Sequence, residues 1–462
     1  MVKSKWRSTE TGVLPSSIQN LTLPQNTLMN TADILIIGTG AAGLMAAREL
    51  ANAGKKVIVL EADNRIGGRI YTQQDALTGK YVELGAEFVH GDLPVTLGLL
   101  NEAGIKYRPA SGEMVQYDKG AFVENESFIE HWDLLIDKLN SLQQDLSIEE
   151  FMLKEFSGDK YDRMRTSVRQ FVSGYDTGDP QKASCFALRK EWQSEDDSAQ
   201  HRVEGGYVSL MNYLAGECKA NGGEILLNAI VKDIYWEPGK VSAITVDGTA
   251  YHAQQVILAV PLGVLKAGEG QIGAVTFHPQ LKAHGEAIQG MGFGSVIKTL
   301  LEFDEAFWYT NETEARIGRS LENMSYLLSQ EEIPTWWTQF PERSSVFTGW
   351  IGGPDAEAKK EMTDEDILME SLQSVANIFR LDVDELKQRL KTWQVMNWTA
   401  KPFTRGSYAY DTVNASACRH TLNAPLDDTL FFAGEYLYEG TAMGTVEAAL
   451  TSGKGVAEMI RK

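Results

Sequence analysis

The segment TADILIIGTGAAGLMAARELANAGKKVIVLEA, residues 31–62, constrains the fold more than any other part of this chain. Its pattern predicts a strand over 32–37, a tight glycine turn, a helix over about 41–53 and a second strand over 57–61. Gly38, Gly40 and Gly43 spell GxGxxG at the first strand-to-helix junction, where a diphosphate can approach bare backbone and sit on the helix N-terminus. Glu61 closes the second strand, where a carboxylate can accept hydrogen bonds from ribose hydroxyls. The combination of strand, turn, helix, strand and acid is far more specific than the glycine pattern alone.

A second GxGxxG match, GEGQIG at 268–273, serves as an internal control. Pro261 breaks the preceding strand, and AVTFHP after the glycines is no helix, so this copy is a loop. One dinucleotide site is therefore expected. A chain of 462 residues with 43% hydrophobic content can bury a large core and should divide into two or more domains. Cys185, Cys218 and Cys418 lie far apart with no CxxC spacing, so neither a disulfide framework nor a metal site is expected, and a reducing, cytoplasmic setting fits. Residues 1–30 read as an irregular arm without the apolar run of a secretory signal. No stretch approaches the roughly twenty apolar residues of a membrane span, so no membrane partner is expected. The net charge of -20 disfavours nucleic acid and favours approach of cationic small molecules, although acidic surfaces also serve solubility.

Directly after Glu61 the chain reads ADNRIGGRIYT, which strongly resembles the FAD-containing amine oxidase family of monoamine oxidases, polyamine oxidases and flavin histone demethylases. The resemblance continues in ELGAEFVHG (83–91), VEGGYVSLMNYLA (203–215), VILAVPLGVLK (256–266), GFGSVIKTLLEFDEAFW (292–308), RGSYAY (405–410) and LFFAGEYLYEGTAMGTVEAALTSGKGVAEMI (430–460). It implies an α/β fold: a discontinuous Rossmann-like FAD-binding domain over 31–91, 201–275 and 404–462, with an interleaved α+β substrate-binding domain over 92–200 and 276–403. The first insert reads as mainly helical, and DEDILMESLQSVANIF (364–379) as a helix in the second. Strands parted by Pro-Gly and Asp-Gly turns between 227 and 260 suggest a small antiparallel sheet.

The resemblance assigns one FAD per chain to Gly38, Gly40, Ala42, Gly43, Glu61, Ala62, Gly68, Arg69, Gly85, Ala86, Glu87, Val231, Gly434, Glu435, Thr445 and Val446. Arg69 would face the diphosphate, Glu435 a ribityl hydroxyl and Val231 the adenine, while amides near Thr445 and Val446 would meet the flavin pyrimidine edge. Glu87 could instead be a substrate counter-ion or a surface carboxylate. Ser407 stands where monoamine oxidases carry the cysteine bonded to FAD, so non-covalent binding is expected. A single dinucleotide site leaves oxygen, rather than NAD(P)H, as the partner in electron exchange.

Amine oxidation by hydride transfer to flavin N5 asks the protein for a dry, aromatic site rather than an acid–base pair. Trp398 and Tyr408 in WTAKPFTRGSY fit walls of such a site, with core packing as the alternative for each. Thr445 replaces the second cage tyrosine of monoamine oxidases. His90 resembles the histidine of animal polyamine oxidases near the substrate amine, or is a strand-end histidine satisfied by backbone. Glu113, Asp118, Glu124 and Glu126 are candidates for an acidic entrance.

Lys298 is the oddity of VIKTLLEF: alternation places it with Val296 and Leu300, so that face meets water or the ammonium has a task. The resemblance implies the latter, a cation near flavin N5 that helps oxygen accept electrons. The expected activity is oxidation of a primary or secondary amine to an imine, hydrolysed to aldehyde or ketone, with oxygen reduced to hydrogen peroxide. RGSY and Trp398 favour a monoamine, the substrate slightly preferred; His90 and Thr445 favour a polyamine, the alternative. An L-amino acid oxidase lacks its expected arginine here, and a histone demethylase its long insertion. A non-enzymatic escort protein without flavin is the alternative from another class, and a lipid desaturase would require an apolar membrane-binding segment. The oligomeric state stays open, a homodimer included.

Overall fold

The structure, a computed structural model, describes residues 30–74, 79, 81–123, 129–193 and 200–461. The arm over 1–29, with Glu124 and Glu126, lies outside the described residues. The glycine-turn unit forms as its pattern predicts: strand Ile34–Ile37, helix Ala41–Asn52, strand Val57–Leu60. Both strands are fully buried, which is why they read as unbroken apolar runs rather than alternating ones. They sit at the centre of a five-stranded parallel sheet in the order Glu224–Leu226, Val57–Leu60, Ile34–Ile37, Gln255–Leu258, Leu430–Phe432. Its strands thus come from the beginning, middle and end of the chain.

Three further elements surround this sheet. Strands Val231–Glu237, Lys240–Thr245 and Ala250–Ala253 pair antiparallel, as the turn residues predict. Thr276–His278 joins their edge in parallel to Val231–Glu237, just beyond the expected segment boundary at 275. The helices Ala41–Asn52 and Val446–Ile460 pack so closely that a Cβ on Gly453 would lie 2.1 Å from the Ala42 carbonyl oxygen. Glu447, in the first turn of the latter helix, is buried and accepts from the Val95 and Thr96 amides at 3.0 and 2.7 Å. It thereby caps the helix Pro94–Glu102, which has no cap of its own.

A seven-stranded sheet is built from Leu390–Asn397, Val296–Phe303, Val346–Gly352, Thr335–Trp337, Met324–Leu328, Glu113–Asp118 and Ala121–Val123, in that order. The helix Asp364–Phe379 forms over the span expected and buries Ile367, Leu372, Val375 and Phe379 against Ile297, Leu301 and Phe347 of this sheet. The opposite face carries Val296 and Leu300 against Val82, Leu84 and Trp398. Segment 92–200 holds a cluster of four helices, Trp132–Ser141, Ile148–Glu155, Asp162–Gly174 and Cys185–Trp192, as its pattern suggests. It also supplies the hairpin Glu113–Asp118 and Ala121–Val123, which periodicity missed because its first strand joins the sheet through Met324–Leu328, about two hundred positions along. GEGQIG is a loop.

Gly453 and Gly455 share one helix but meet different surroundings: nothing lies within 4 Å of a Cβ on Gly455. Alanine in a helix interior gains about 1 kcal/mol over glycine, whereas overpacking costs about 1–3 kcal/mol. G453A is therefore expected to lower the urea midpoint and weaken cofactor retention, while G455A leaves stability equal or raised.

Candidate active site

One cavity of about 1610 Å³ runs from the glycine turn to the seven-stranded sheet. Gly38 adopts φ +106°, where a side chain would be strained and would strike the Ala259 carbonyl. Gly40 lines the cavity and a Cβ there would meet nothing within 4 Å, so any side chain would occupy cavity space. Gly68 lies against it, with a Cβ position 3.4 Å from the Gly40 Cα. Helix Ala41–Asn52 starts without a side-chain cap or an acid in its first turn, leaving its amides and dipole open to an anion. Gly43 is absent from the cavity lining: its Cβ would lie 2.0 Å from the Gly38 carbonyl oxygen, so it serves helix-to-strand packing rather than ligand contact.

The Glu61 carboxylate is aimed by Thr39, whose amide and hydroxyl donate to Oε2 at 2.8 and 2.5 Å, and by the Asp63 amide on Oε1 at 2.9 Å. Thr39, the variable position of the glycine motif, gave no sequence signal of that role. Arg69 donates to Glu435 Oε1 at 2.9 Å and to the Ser407 carbonyl, while Ala409 N–H donates to Glu435 Oε2 at 3.2 Å. These contacts join segments more than three hundred residues apart. Ala42, Ala62, Gly85, Ala86, Val231, Gly434, Thr445 and Val446 line the same cavity.

Lys298 is buried, 1% exposed, along with every residue of Val296–Phe303, which settles which of its two expected surroundings is realised. Its ammonium donates to Glu87 Oε2 at 2.8 Å and to the Gly85 carbonyl at 3.2 Å, with the Trp337 ring 5.1 Å away. Glu87 is no surface carboxylate: it also accepts from Arg202 Nε at 3.1 Å, Trp337 Nε1 at 3.0 Å and Gln339 Nε2 at 3.1 Å. A carboxylate so fully bonded to protein serves Lys298 and Arg202 rather than a mobile substrate cation. Burial by itself would raise the Glu87 carboxyl, but Lys298 and Arg202 outweigh it and hold it at about 2.

Tyr408 lines the cavity, its phenol donating to the Tyr175 carbonyl, and burial pushes that phenol up. Thr445 caps the last helix, accepting from Ala448 N–H at 3.2 Å and donating to the Ala442 carbonyl at 2.6 Å. Its hydroxyl is therefore occupied by the backbone. Trp398 touches the cavity but is 4% exposed and donates to the Leu84 carbonyl at 2.9 Å; it braces the segment carrying Gly85 and Glu87. His90 also lines the cavity, and its Nδ1 has no hydrogen-bond partner among the described residues, against the expectation of a backbone-satisfied ring. Burial lowers its pKa to about 4, so the imidazole stays neutral and able to accept from an amine.

Phe88, Tyr326, Trp337 and Tyr175 complete an aromatic lining. The Phe88 ring lies 5.7 Å from His90, 5.8 Å from Tyr326 and 5.9 Å from Trp337, with His90 to Tyr175 at 6.0 Å. Sequence reasoning named none of these four, because their proximity rests on how distant segments meet. Besides Glu61, Glu87 and Glu435, the acids along the cavity are Asp92, Asp176, Glu191, Glu331, Glu332, Asp355 and Asp411. Glu113 is exposed on its strand, and Asp118 lies 3.6 Å from Arg163; neither lines the cavity.

Comparison with known proteins agrees with this geometry. A family model described as flavin containing amine oxidoreductase matches residues 41–461. Polyamine oxidase 4 of rice is 27% identical over 466 residues, covering 93% of this chain and 88% of that protein. Human lysine-specific histone demethylase 2 is 26% identical over 449 residues, covering 92% of this chain but 53% of its own length. The chain thus spans about half the length of the demethylases it matches. In three dimensions it resembles a putrescine oxidase solved with putrescine bound (TM-score 0.74, 22% identity, 93% of this chain and 99% of that one). Cyclohexylamine oxidase from Brevibacterium oxydans gives a TM-score of 0.74 at 18% identity, over 93% of this chain and 98% of that one. At such identities the structural likeness concerns the fold.

The chain belongs to the flavin containing amine oxidoreductase family. Its cofactor is FAD, and the residues present fit it: an unfilled cradle at Gly40, free helix amides, and an oriented acid at Glu61. No helix among the described residues is long and apolar enough to cross a membrane.

Removing the Glu87 charge leaves two buried cations without their counter-ion, so E87Q is expected to lose about 3 kcal/mol of unfolding free energy at pH 7. The folded-state pKa of about 2 lies below the ordinary 4.5, so this stabilisation is present above pH 4.5 and lost as pH falls toward 2. Urea unfolding of the two proteins should therefore converge as the pH is lowered through that window.

Proposed function

We propose that this chain is an FAD-dependent oxidase of primary or secondary amines, producing an imine and hydrogen peroxide. The observation that carries this reading is that Gly40, Arg69, Glu435, Lys298, Tyr408 and His90 line one continuous cavity. When bound, FAD accepts hydride from the carbon beside the amine nitrogen and passes the electrons to oxygen. Residues 31–91, 201–275 and 404–462 hold it, and 92–200 with 276–403 form the substrate side. In support, every strand of the parallel sheet comes from the first group and every strand of the seven-stranded sheet from the second.

The chain's own contributions divide by position. Tyr408, Phe88 and Tyr326 exclude water and favour the neutral amine; His90 Nδ1 accepts its N–H. Lys298, held by Glu87, keeps a positive charge where oxygen is reduced. Ser407 provides no thiol, so FAD is bound without a covalent link.

The sequence preference for a monoamine leaned partly on Trp398, which is engaged with Leu84 in the core. The acids along the cavity, Asp176, Glu191, Glu331, Glu332 and Asp355, support a substrate with a second positive charge. Among the described lining residues, Lys359 is the basic group of that region and it pairs with Glu332 at 3.0 Å. We therefore favour a diamine or polyamine.

A peroxide-coupled screen of monoamines, diamines, polyamines and acetylated polyamines tests this reading, with turnover expected to be highest on the multiply charged amines. Absence of turnover on every amine, by protein that carries FAD, would refute it. K298M is expected to slow reoxidation by oxygen by about 10²-fold, with anaerobic reduction by amine changing far less; stopped-flow spectroscopy separates the two half-reactions.

A further inference from the structure

A second cavity, of about 250 Å³, lies behind the segment that carries Glu87, with Glu83, Arg108, Arg202, Glu204 and Gln339 among its walls. Glu87 lines both cavities, so one carboxylate stands in the partition between them. On the large-cavity side it bonds the Lys298 ammonium through Oε2; Oε1 is bonded to Arg202, a wall of the small cavity. The small cavity reaches the surface, because its rim includes Tyr81, 54% exposed, and the partly exposed Arg108–Glu342 pair at 2.8 Å. It has room for several water molecules and is polar enough to hold them.

We propose that this small cavity is a proton inlet, and that Glu83 and the Glu87–Lys298 pair relay protons from it to the side of the cofactor where oxygen is reduced. The proposal builds on Lys298 acting beside FAD. Reduction of oxygen to hydrogen peroxide takes two electrons and two protons, and a hydride drawn from the amine supplies both electrons and one proton. The second proton must come from elsewhere, while an amine or imine in the aromatic front of the large cavity obstructs solvent on that side. In the relay, Lys298 gives an N–H proton to the reduced oxygen. Its amine regains a proton from Glu87, which takes one from cavity water once the neutral Gln339 amide releases Oε1 and then turns its carboxyl to deliver it; that water draws its proton from the Glu83 carboxyl. Glu83 is reprotonated by solvent through the inlet, so the relay returns to its starting state.

Glu83 suits the outer position. Its carboxyl accepts from the Tyr207 amide at 2.6 Å and the Thr72 hydroxyl at 2.8 Å. Burial pushes it up to about 7 against those two bonds and against the pull of Lys298, with Glu87 adding to the rise. Arg202 and Arg108 from neighbouring strands, with Glu204 and Glu342, are the other charged groups around the cavity. A carboxyl with that value carries a proton at neutral pH and exchanges it readily.

The test uses holoenzyme reduced with dithionite, so it needs no amine substrate and stands even if every amine fails in turnover. The wild-type rate constant for reoxidation by oxygen is expected to fall as pH rises through about 7, where Glu83 loses its proton. E83Q, which keeps a carbonyl acceptor for the Tyr207 amide and turns its own amide as a donor toward the Thr72 hydroxyl, is expected to be at least about 10-fold slower at pH 6 and to lack the inflection. Equal rates and an unchanged inflection in E83Q would overturn the relay. Independently of any variant, infrared difference spectra of the wild type, with and without FAD, should show a protonated-carboxyl band that disappears as pH is raised through about 7. Its absence would overturn the proposal as well, and its loss in E83Q would assign it.

Discussion

Glu87 keeps its negative charge where almost no water reaches, and three separate segments arrange themselves to make that tolerable. Lys298 comes from the long strand Val296–Phe303, second in the seven-stranded sheet, Arg202 from the strand Gln200–Val203, and Trp337 and Gln339 from the chain near Thr335–Trp337. Each brings a donor, so the cost of desolvating the carboxylate is met by charge-assisted hydrogen bonds on both oxygens. A buried cation without this partner would be far less tolerable, and the aromatic lining formed by Phe88, Tyr326 and Trp337 takes its position around the same cluster. The ion pair therefore ties the segment leading into strand Phe88–His90 to the seven-stranded sheet at the wall of the large cavity.

The cofactor end depends on a different constraint, close approach of backbone. Gly43 against Gly38, and Gly453 against Ala42, let two helices and a strand lie at distances that any Cβ would prevent. That packing leaves the amides at the start of helix Ala41–Asn52 open toward the cavity. Arg69 and Glu435 then join the early glycine-rich loop to the strand-ending carboxylate near the C-terminus. One end of the cavity is thus made by the omission of side chains and the other by a surplus of aromatic ones.

Much of this was legible before any coordinates. The glycine unit, the helix Asp364–Phe379, the antiparallel turns after Val231 and the dismissal of GEGQIG are local patterns, governed by periodicity and turn chemistry that neighbouring residues decide among themselves. The hairpin Glu113–Asp118 and Ala121–Val123 was hidden because the strand that joins it to the sheet, Met324–Leu328, is remote. Thr445 and Trp398 could be matched to positions near a flavin, yet their hydrogen bonds to Ala442 and Leu84 depend on how those segments meet. Glu87 looked like a surface acid for the same reason: nothing within ten residues announces the two cations that enclose it.

The amino-acid sequence by itself determined the class of cofactor, through glycines whose spacing is a backbone requirement, and the family, through motifs repeated along the chain. It also specified that Lys298 would share a face with Val296 and Leu300, since strand alternation is local. Tertiary structure alone decided what that face meets, which residues line the large cavity, and that a second cavity ends on the same carboxylate. The physical reason is that burial, ion pairing and cavity shape are set by contacts between segments hundreds of residues apart, and such contacts leave no period in the chain.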